Sequence, residues 1–175
     1  MPAIDFTTAL GQLLCDGALR DALAADPRAV AARLNLRESD HAALVQLVPA
    51  DLEFQAGVLI RKRLNLVCRI VPETCQMLGD ETWPVFHAYA RSHWPARKQS
   101  AAHDAQGFCR HVQQHQPDCL CEAEWNRLRF AFSAHRFAIH FIHRQPSRHQ
   151  SKRGLQLLVR FGRQRWWETI FYLRL

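Results

Sequence analysis

The 175-residue chain is 48% apolar and 22% charged, which excludes a disordered tail and allows one folded core, or a helical domain with a small sheet leaning on it. Its net charge of +7 is uneven: residues 1–90 hold 8 Lys/Arg and 11 Asp/Glu (−3), whereas residues 91–175 hold 15 and 5 (+10). No apolar run reaches the length of a membrane span, and Met1–Leu14 carries Asp5 without a basic cluster, so a cytoplasmic protein with no secretory signal is expected.

Apolar residues at helical spacing predict a helix over Ile4–Cys15 (Phe6, Ala9, Leu10, Leu13, Leu14) and a second over Gly17–Ala25 after Asp16. Asp26-Pro27, an N-cap followed by proline at the first helical position, launches Arg28–Leu34. Ser39 is expected to cap Asp40–Val48. Pro49 opens the longest element: Leu52, Ala56, Leu59, Ile60, Arg63, Leu64, Val67 and Ile70 recur every three or four residues, and the opposite face carries Arg61, Lys62 and Arg69. Glu73–Leu78 forms a short turn of helix closed by Gly79, and Asp80 caps Glu81–His93. Ala96–Ser100 is a polar link and the expected boundary, giving a helical domain over 1–95 and a second domain over 96–175. The second opens with helices over Ala101–His115 and Cys121–Ser133, the latter burying Trp125, Leu128, Phe130 and Phe132 and presenting Glu122, Glu124, Asn126, Arg127 and Arg129 on a polar face.

After Ser133 the apolar period changes from 3.6 to 2. Three strands are predicted, Arg136–Arg144, Leu155–Phe161 and Trp166–Leu175, separated by a polar loop over Gln145–Arg153 and a tight turn at Gly162-Arg163-Gln164. The fold class is therefore α+β: a helical region followed by a three-stranded antiparallel meander with one face on the helices. Phe137, Ile139, Phe141, Leu155, Leu157, Val159, Phe161, Trp167, Thr169, Phe171 and Leu173 share one face. The second face is mixed, with His140, Ile142, Gln156, Leu158, Arg160, Trp166, Glu168, Ile170, Tyr172 and Arg174. Two readings of this mixed face stand side by side: packing under helices, or a binding surface built of the Trp, Tyr and Arg that dominate hot spots.

Chemistry is harder to find. Cys109, His111, His115, Cys119 and Cys121 are all metal-ligand types, but their spacing matches no common zinc pattern, and Cys109 fits an apolar helix face. The six cysteines predict free thiols rather than a disulfide framework. No nucleophile elbow, Walker loop, dinucleotide fingerprint or H-E-x-x-H is present, so the chain does not read as an enzyme on its own. The last fifty residues carry eleven Lys/Arg and one acid, Glu168, which suits an extended anionic or peptide partner. In a meander the outer strands are edges that can template an added strand. The last strand and its turn are the candidate peptide-binding site: Arg160, Arg163, Arg165, Trp166, Trp167, Glu168, Ile170 and Tyr172. The alternative is a basic nucleic-acid-binding regulator.

A set of motifs adds a family resemblance. Leu13-Leu14-x-Asp16-Gly17-x-Leu19-Arg20, Leu52-Glu53-x-Gln55-Ala56-x-Val58-Leu59-x3-Arg63, Val71-Pro72-x-Thr74-x3-Leu78-Gly79, Phe86-x-Ala88-Tyr89-Ala90-x3-Trp94-Pro95 and His103-Asp104-Ala105-x2-Phe108 together resemble the MbnC-like partner proteins of multinuclear iron oxygenases in peptide natural-product biosynthesis. The resemblance implies a non-catalytic subunit that forms a heterodimer with an MbnB-like TIM-barrel iron oxygenase. It implies binding of the leader of a ribosomally made precursor peptide, whose core cysteines the partner oxidises, to an oxazolone and a thioamide in methanobactin, a copper chelator. It places iron in the partner and no cofactor or metal in this chain. No individual peptide-contacting residue carries over.

Overall fold

The computed structural model describes every residue except 1, 96–100, 144–145, 148–149, 152, 163–164 and 173–175, with the backbone alone at 146–147 and 150–151. The link over Ala96–Ser100 and the expected face residues Leu173 and Arg174 therefore lie outside the described residues, as does Arg163 of the candidate site. The architecture is α+β: helices α1 (Phe6–Cys15), α2 (Gly17–Ala25), α3 (Pro27–Arg33), α4 (His41–Val45), α5 (Pro49–Ile70), α6 (Pro72–Leu78), α7 (Thr82–Ser92), α8 (Ala101–His115) and α9 (Glu122–Ala131) precede the strands. No single helix among the described residues is long and apolar enough to cross a membrane. The chain forms two compact units, residues 1–64 with 83–96, and residues 65–82 with 97–175.

In the first unit three aspartates start three helices. Asp5 accepts from the Thr8 N–H at 2.8 Å, Asp16 from that of Leu19 at 3.1 Å, and Asp26 from those of Arg28 and Ala29. The Thr8 bond holds the Asp5 carboxyl below its ordinary range. Two expected caps are replaced. A 3₁₀ turn, Glu38–Asp40, precedes α4, and the Ser39 hydroxyl meets the Asp40 carboxylate instead of a helix N–H. A second turn, Gly79–Glu81, precedes α7, where the Thr82 hydroxyl lies 2.7 Å from the Gly79 carbonyl and 2.8 Å from that of Cys75. The core of this unit gathers Ala9, Leu13, Leu19, Leu23, Val30, Leu44 and Leu52. Gly17 permits a close crossing: a Cβ there would stand 3.0 Å from the Arg91 carbonyl oxygen.

The second unit buries Phe108, Cys109 and Val112 of α8 and Leu128 and Phe130 of α9. Trp125 is only half-buried, and Phe132 is exposed because α9 stops at Ala131 and does not reach Ser133. Two members of its expected polar face, Glu124 and Asn126, are buried instead. Strands β1 (Phe137–Ile142), β4 (Gly154–Phe161) and β5 (Arg165–Tyr172) form an antiparallel sheet in the order β1-β4-β5. The loop between β1 and β4 is not featureless, since β2 (Pro146–Ser147) pairs with β3 (Gln150–Ser151). Gly162 opens the β4–β5 turn at φ 77°, a conformation that costs a residue with a Cβ.

Candidate peptide-docking sheet

Register fixes the two faces of the sheet. Phe137–Val159–Trp167, Ile139–Leu157–Thr169 and Phe141–Leu155–Phe171 are cross-strand rows of one face, and the Phe161–Arg165 pair continues it. Ala138–Leu158–Glu168, His140–Gln156–Ile170 and Ile142–Gly154–Tyr172 are rows of the other, continued by Arg160–Trp166. The second, mixed face is the one that rests on the helices. Leu158, Gln156, Ile142 and Gly154 are buried, and Ile142 and Ile170 join Cys121, Ala123 and Met77 in a small core. The apolar face, which its composition would send inward, is open: Phe141 is 70% exposed, Phe161 63%, Phe171 56% and Phe137 55%, with Ile139 and Trp167 at 49%.

Polar groups explain why the mixed face can be covered. Glu168 accepts a bidentate pair from Arg127 of α9, at 2.8 and 3.1 Å, and a third bond from Gln156 at 2.7 Å. Gln156, wholly buried, also donates to the Ala123 carbonyl and accepts from Asn126. The guanidinium of Arg160 reaches the carbonyls of Phe130, Ala131 and Ser133, at and just beyond the C-terminus of α9. Burial, with Arg129 nearby, pushes the His140 imidazole below its ordinary value. Among the described residues of this face, Arg160 and Glu168 are thus both occupied within the unit.

The candidate site residues accordingly separate. Arg160, Glu168 and Ile170 face the helices and are committed to the fold. Trp167 and Arg165 belong to the open face, and both are exposed. Trp166 and Tyr172 lie on the helix side, yet 40% and 49% of their surfaces remain exposed. β5 and β1 are the sheet's outer strands, with no further strand paired to either among the described residues. Phe137, Ile139, Phe141, Phe161 and Phe171 were missed as surface residues. Strict alternation marks a two-faced strand but does not say which face is covered.

The remaining candidates are dispersed. Cys109 and Cys121 are buried, and the Cys121 thiol, pushed up to about 12 by burial, points to Glu73 at 3.2 Å. His111 and His115 meet as tilted rings with centroids 4.1 Å apart. Among the described residues no group of three His, Cys, Asp or Glu is arranged to hold a metal ion. The six cysteines are thiols, and two of them touch: Cys68 at the end of α5 and Cys75 of α6 have their Sγ atoms 2.8 Å apart. Burial, then the neighbouring Cys68, raises the Cys75 thiol. With hydrogen peroxide this pair is expected to close first, each thiol giving up a hydrogen as one S–S bond forms and peroxide leaves as two waters. An intact-mass loss of two hydrogens, mapped to the Cys68 and Cys75 peptides and absent in Cys75→Ser, checks it. A different first pair sinks it.

Comparison with known proteins reaches part of the helical region. Residues 46–114 match the family described as SCO6045-like, C-terminal domain, a stretch that runs from the end of α4 to the last turn of α8 and stops short of the sheet. No curated protein matches the chain, and no solved structure matches it.

Proposed function

We propose that the chain is a non-catalytic subunit that binds the leader of a ribosomally made precursor peptide at the β5 edge and presents its core cysteines to an iron-containing oxidase partner. The observation that carries this reading is an outer strand bearing exposed Arg165, Trp166, Trp167 and Tyr172 beside an uncovered apolar face. An extended peptide added to such an edge gains main-chain hydrogen bonds, and its alternate side chains fall on the open face, which sets its register. The MbnC-like motifs supply the partner, a TIM-barrel iron oxygenase that forms a heterodimer with this chain, and the product class, oxazolone and thioamide.

Calorimetric titration with synthetic precursor peptide tests the reading without touching the protein. A peptide N-methylated at alternate leader residues loses main-chain donors, and in the correct phase binding is expected to weaken by about tenfold or more, given about 1 kcal/mol for each lost hydrogen bond. Equal affinity for both N-methylated phases and the unmodified peptide contradicts strand addition. Oxidation of the core cysteines is expected only when this chain and the iron protein are both present, and turnover by this chain alone rules out the subunit role.

A second reading has one observation in its favour. Five exposed aromatics, Phe137, Phe141, Phe161, Trp167 and Phe171, lie in the basic half of the chain, as on sheets that stack single-stranded bases. It requires affinity for an oligonucleotide that falls steeply with salt through counterion release.

A further inference from the structure

From the open sheet face we infer a seat for a second protein, distinct from the peptide at the edge, whose contacting surface is apolar at its centre and carboxylate-bearing at its rim. The identity of the probe below rests on the subunit reading just proposed; the seat itself rests on geometry and charge.

Same-face side chains in a sheet stand about 4.8 Å apart across strands and about 6.8 Å apart along them, so the three rows and the Phe161–Arg165 pair tile roughly 350 Å². That is about the size of the largest apolar patch on a typical monomer, which is often functional, and less than the roughly 800 Å² per side of a standard interface. It fits the dry centre of an interface whose rim completes the contact. Two exposed arginines flank it at opposite ends of the sheet, Arg153 before β4 and Arg165 at the start of β5. From Ala134 onward the chain has nine Lys/Arg and a single acid. That acid, Glu168, faces the helices and is held by Arg127 and Gln156.

This charge pattern selects the occupant. A second copy would oppose one cationic rim to another with no carboxylate available on either sheet, which like-charge repulsion penalises. A nucleic acid would neutralise the rim, but the central strand of the face, Leu155, Leu157 and Val159, is aliphatic, so the rings of Phe137, Phe141, Trp167 and Phe171 stand apart on the two outer strands instead of forming one continuous stacking platform. A protein with an apolar centre and acidic rim satisfies both. The edge and the face then adjoin: the peptide's main chain pairs with β5 and its side chains border the face, which the globular partner takes.

The test uses an MbnB-like iron oxygenase as probe, with affinity followed by interferometry and oligomeric state by light scattering. Phe137→Asp combined with Phe141→Asp places two acids on exposed open-face positions of β1, the outer strand opposite the β5 edge. The pair is expected to weaken binding to the oxygenase by about 100-fold, as for loss of a central anchor, while leader-peptide affinity and circular dichroism stay within error. Arg165→Glu is expected to cost about tenfold and to reduce the salt dependence of association. If the double variant binds the oxygenase as tightly as wild type, the seat is refuted while the subunit reading stands. A wild-type dimer that the double variant renders monomeric makes the occupant a second copy and overturns the proposal. Uridine 20-mer binding abolished by the double variant overturns it in favour of nucleic acid. A wild-type chain that stays monomeric and ignores the oxygenase removes both the subunit reading and this seat.

Discussion

Replacing Glu124 by Ala is expected to destabilise the second unit by roughly 3–5 kcal/mol, the sum of two or three buried donors left without an acceptor. Helix α6 begins at Pro72 after Val71, which has no side-chain oxygen to cap it. Its first turn is capped instead from fifty residues away. The Glu124 carboxylate, 2% exposed, accepts from the N–H of Glu73, the N–H of Thr74 and the Thr74 hydroxyl, each at 2.8 Å. The same hydroxyl accepts the Cys121 N–H at 3.2 Å, so the starts of α6 and α9 are tied through one acid. Burial raises the Glu124 pKa, and the three donors offset this only in part. A folded-state value above the unfolded one means that the native protein holds the proton more tightly. The contribution of this group is therefore full below the ordinary 4.5 and is lost as pH rises through the raised value. Glu124→Gln keeps the shape and one acceptor, so it is expected to cost about 1–2 kcal/mol and to remove that pH dependence. Urea unfolding across pH, read by the circular dichroism of the intact chain, checks both variants. A loss below about 1 kcal/mol for Glu124→Ala would show that other groups or water cap α6 equally well.

Much of this architecture is legible in the residues themselves. The Asp16 and Asp26 caps, the run from Pro49 to Ile70 and the change to period two after Ser133 each depend on local chemistry, which a sequence carries at fixed offsets. The caps at Ser39 and Asp80 were misplaced because 3₁₀ turns take up those residues and a later residue opens each helix. The orientation of the sheet was not legible. Composition favours the interior for Phe137, Phe141 and Phe171 and leaves Gln156, Glu168 and Arg160 as either packing or binding residues. What reverses this is a set of partners distant in sequence: Arg127 for Glu168, Ala123 and Asn126 for Gln156, and the carbonyl end of α9 for Arg160. Once those polar groups are satisfied, the mixed face can be buried, and the hydrophobic face remains for something outside the chain. The candidate site divides accordingly: Trp167 and Arg165 remain available, whereas Arg160, Glu168 and Ile170 serve the fold.

Removal of Arg20 is expected to be the corresponding lesion in the first unit. Its side chain is 4% exposed and makes three bonds: Nε to Glu53 at 2.6 Å, and Nη1 to the Leu13 and Leu14 carbonyls at 3.0 and 3.1 Å. Those carbonyls belong to the last turn of α1, where no helical N–H follows to satisfy them. Arg20→Met keeps the buried stem but leaves two carbonyls and part of a carboxylate unpaired, at a cost of roughly 2–4 kcal/mol. The lower part of that range reflects Glu53, which is 40% exposed and keeps Arg91 at 2.6 Å. Burial acts to raise the Glu53 carboxyl, but the Arg20 hydrogen bond and the charges of Arg20 and Arg91 prevail and lower it below 4.5. Here the sign is opposite to that of Glu124. Stability from Glu53 is complete above 4.5 and is lost as pH falls through the lowered value, so the wild-type unit weakens on acidification and Arg20→Met weakens less. Arg91→Met, which breaks contacts to the exposed Asp21 and to Glu53, is expected to cost less than about 1 kcal/mol. Urea titrations followed by tryptophan fluorescence, with Trp83 and Trp94 as reporters in this unit, separate the two variants. Equal losses from Arg20→Met and Arg91→Met would mean that the exposed network, rather than the buried fork on the end of α1, holds the unit together.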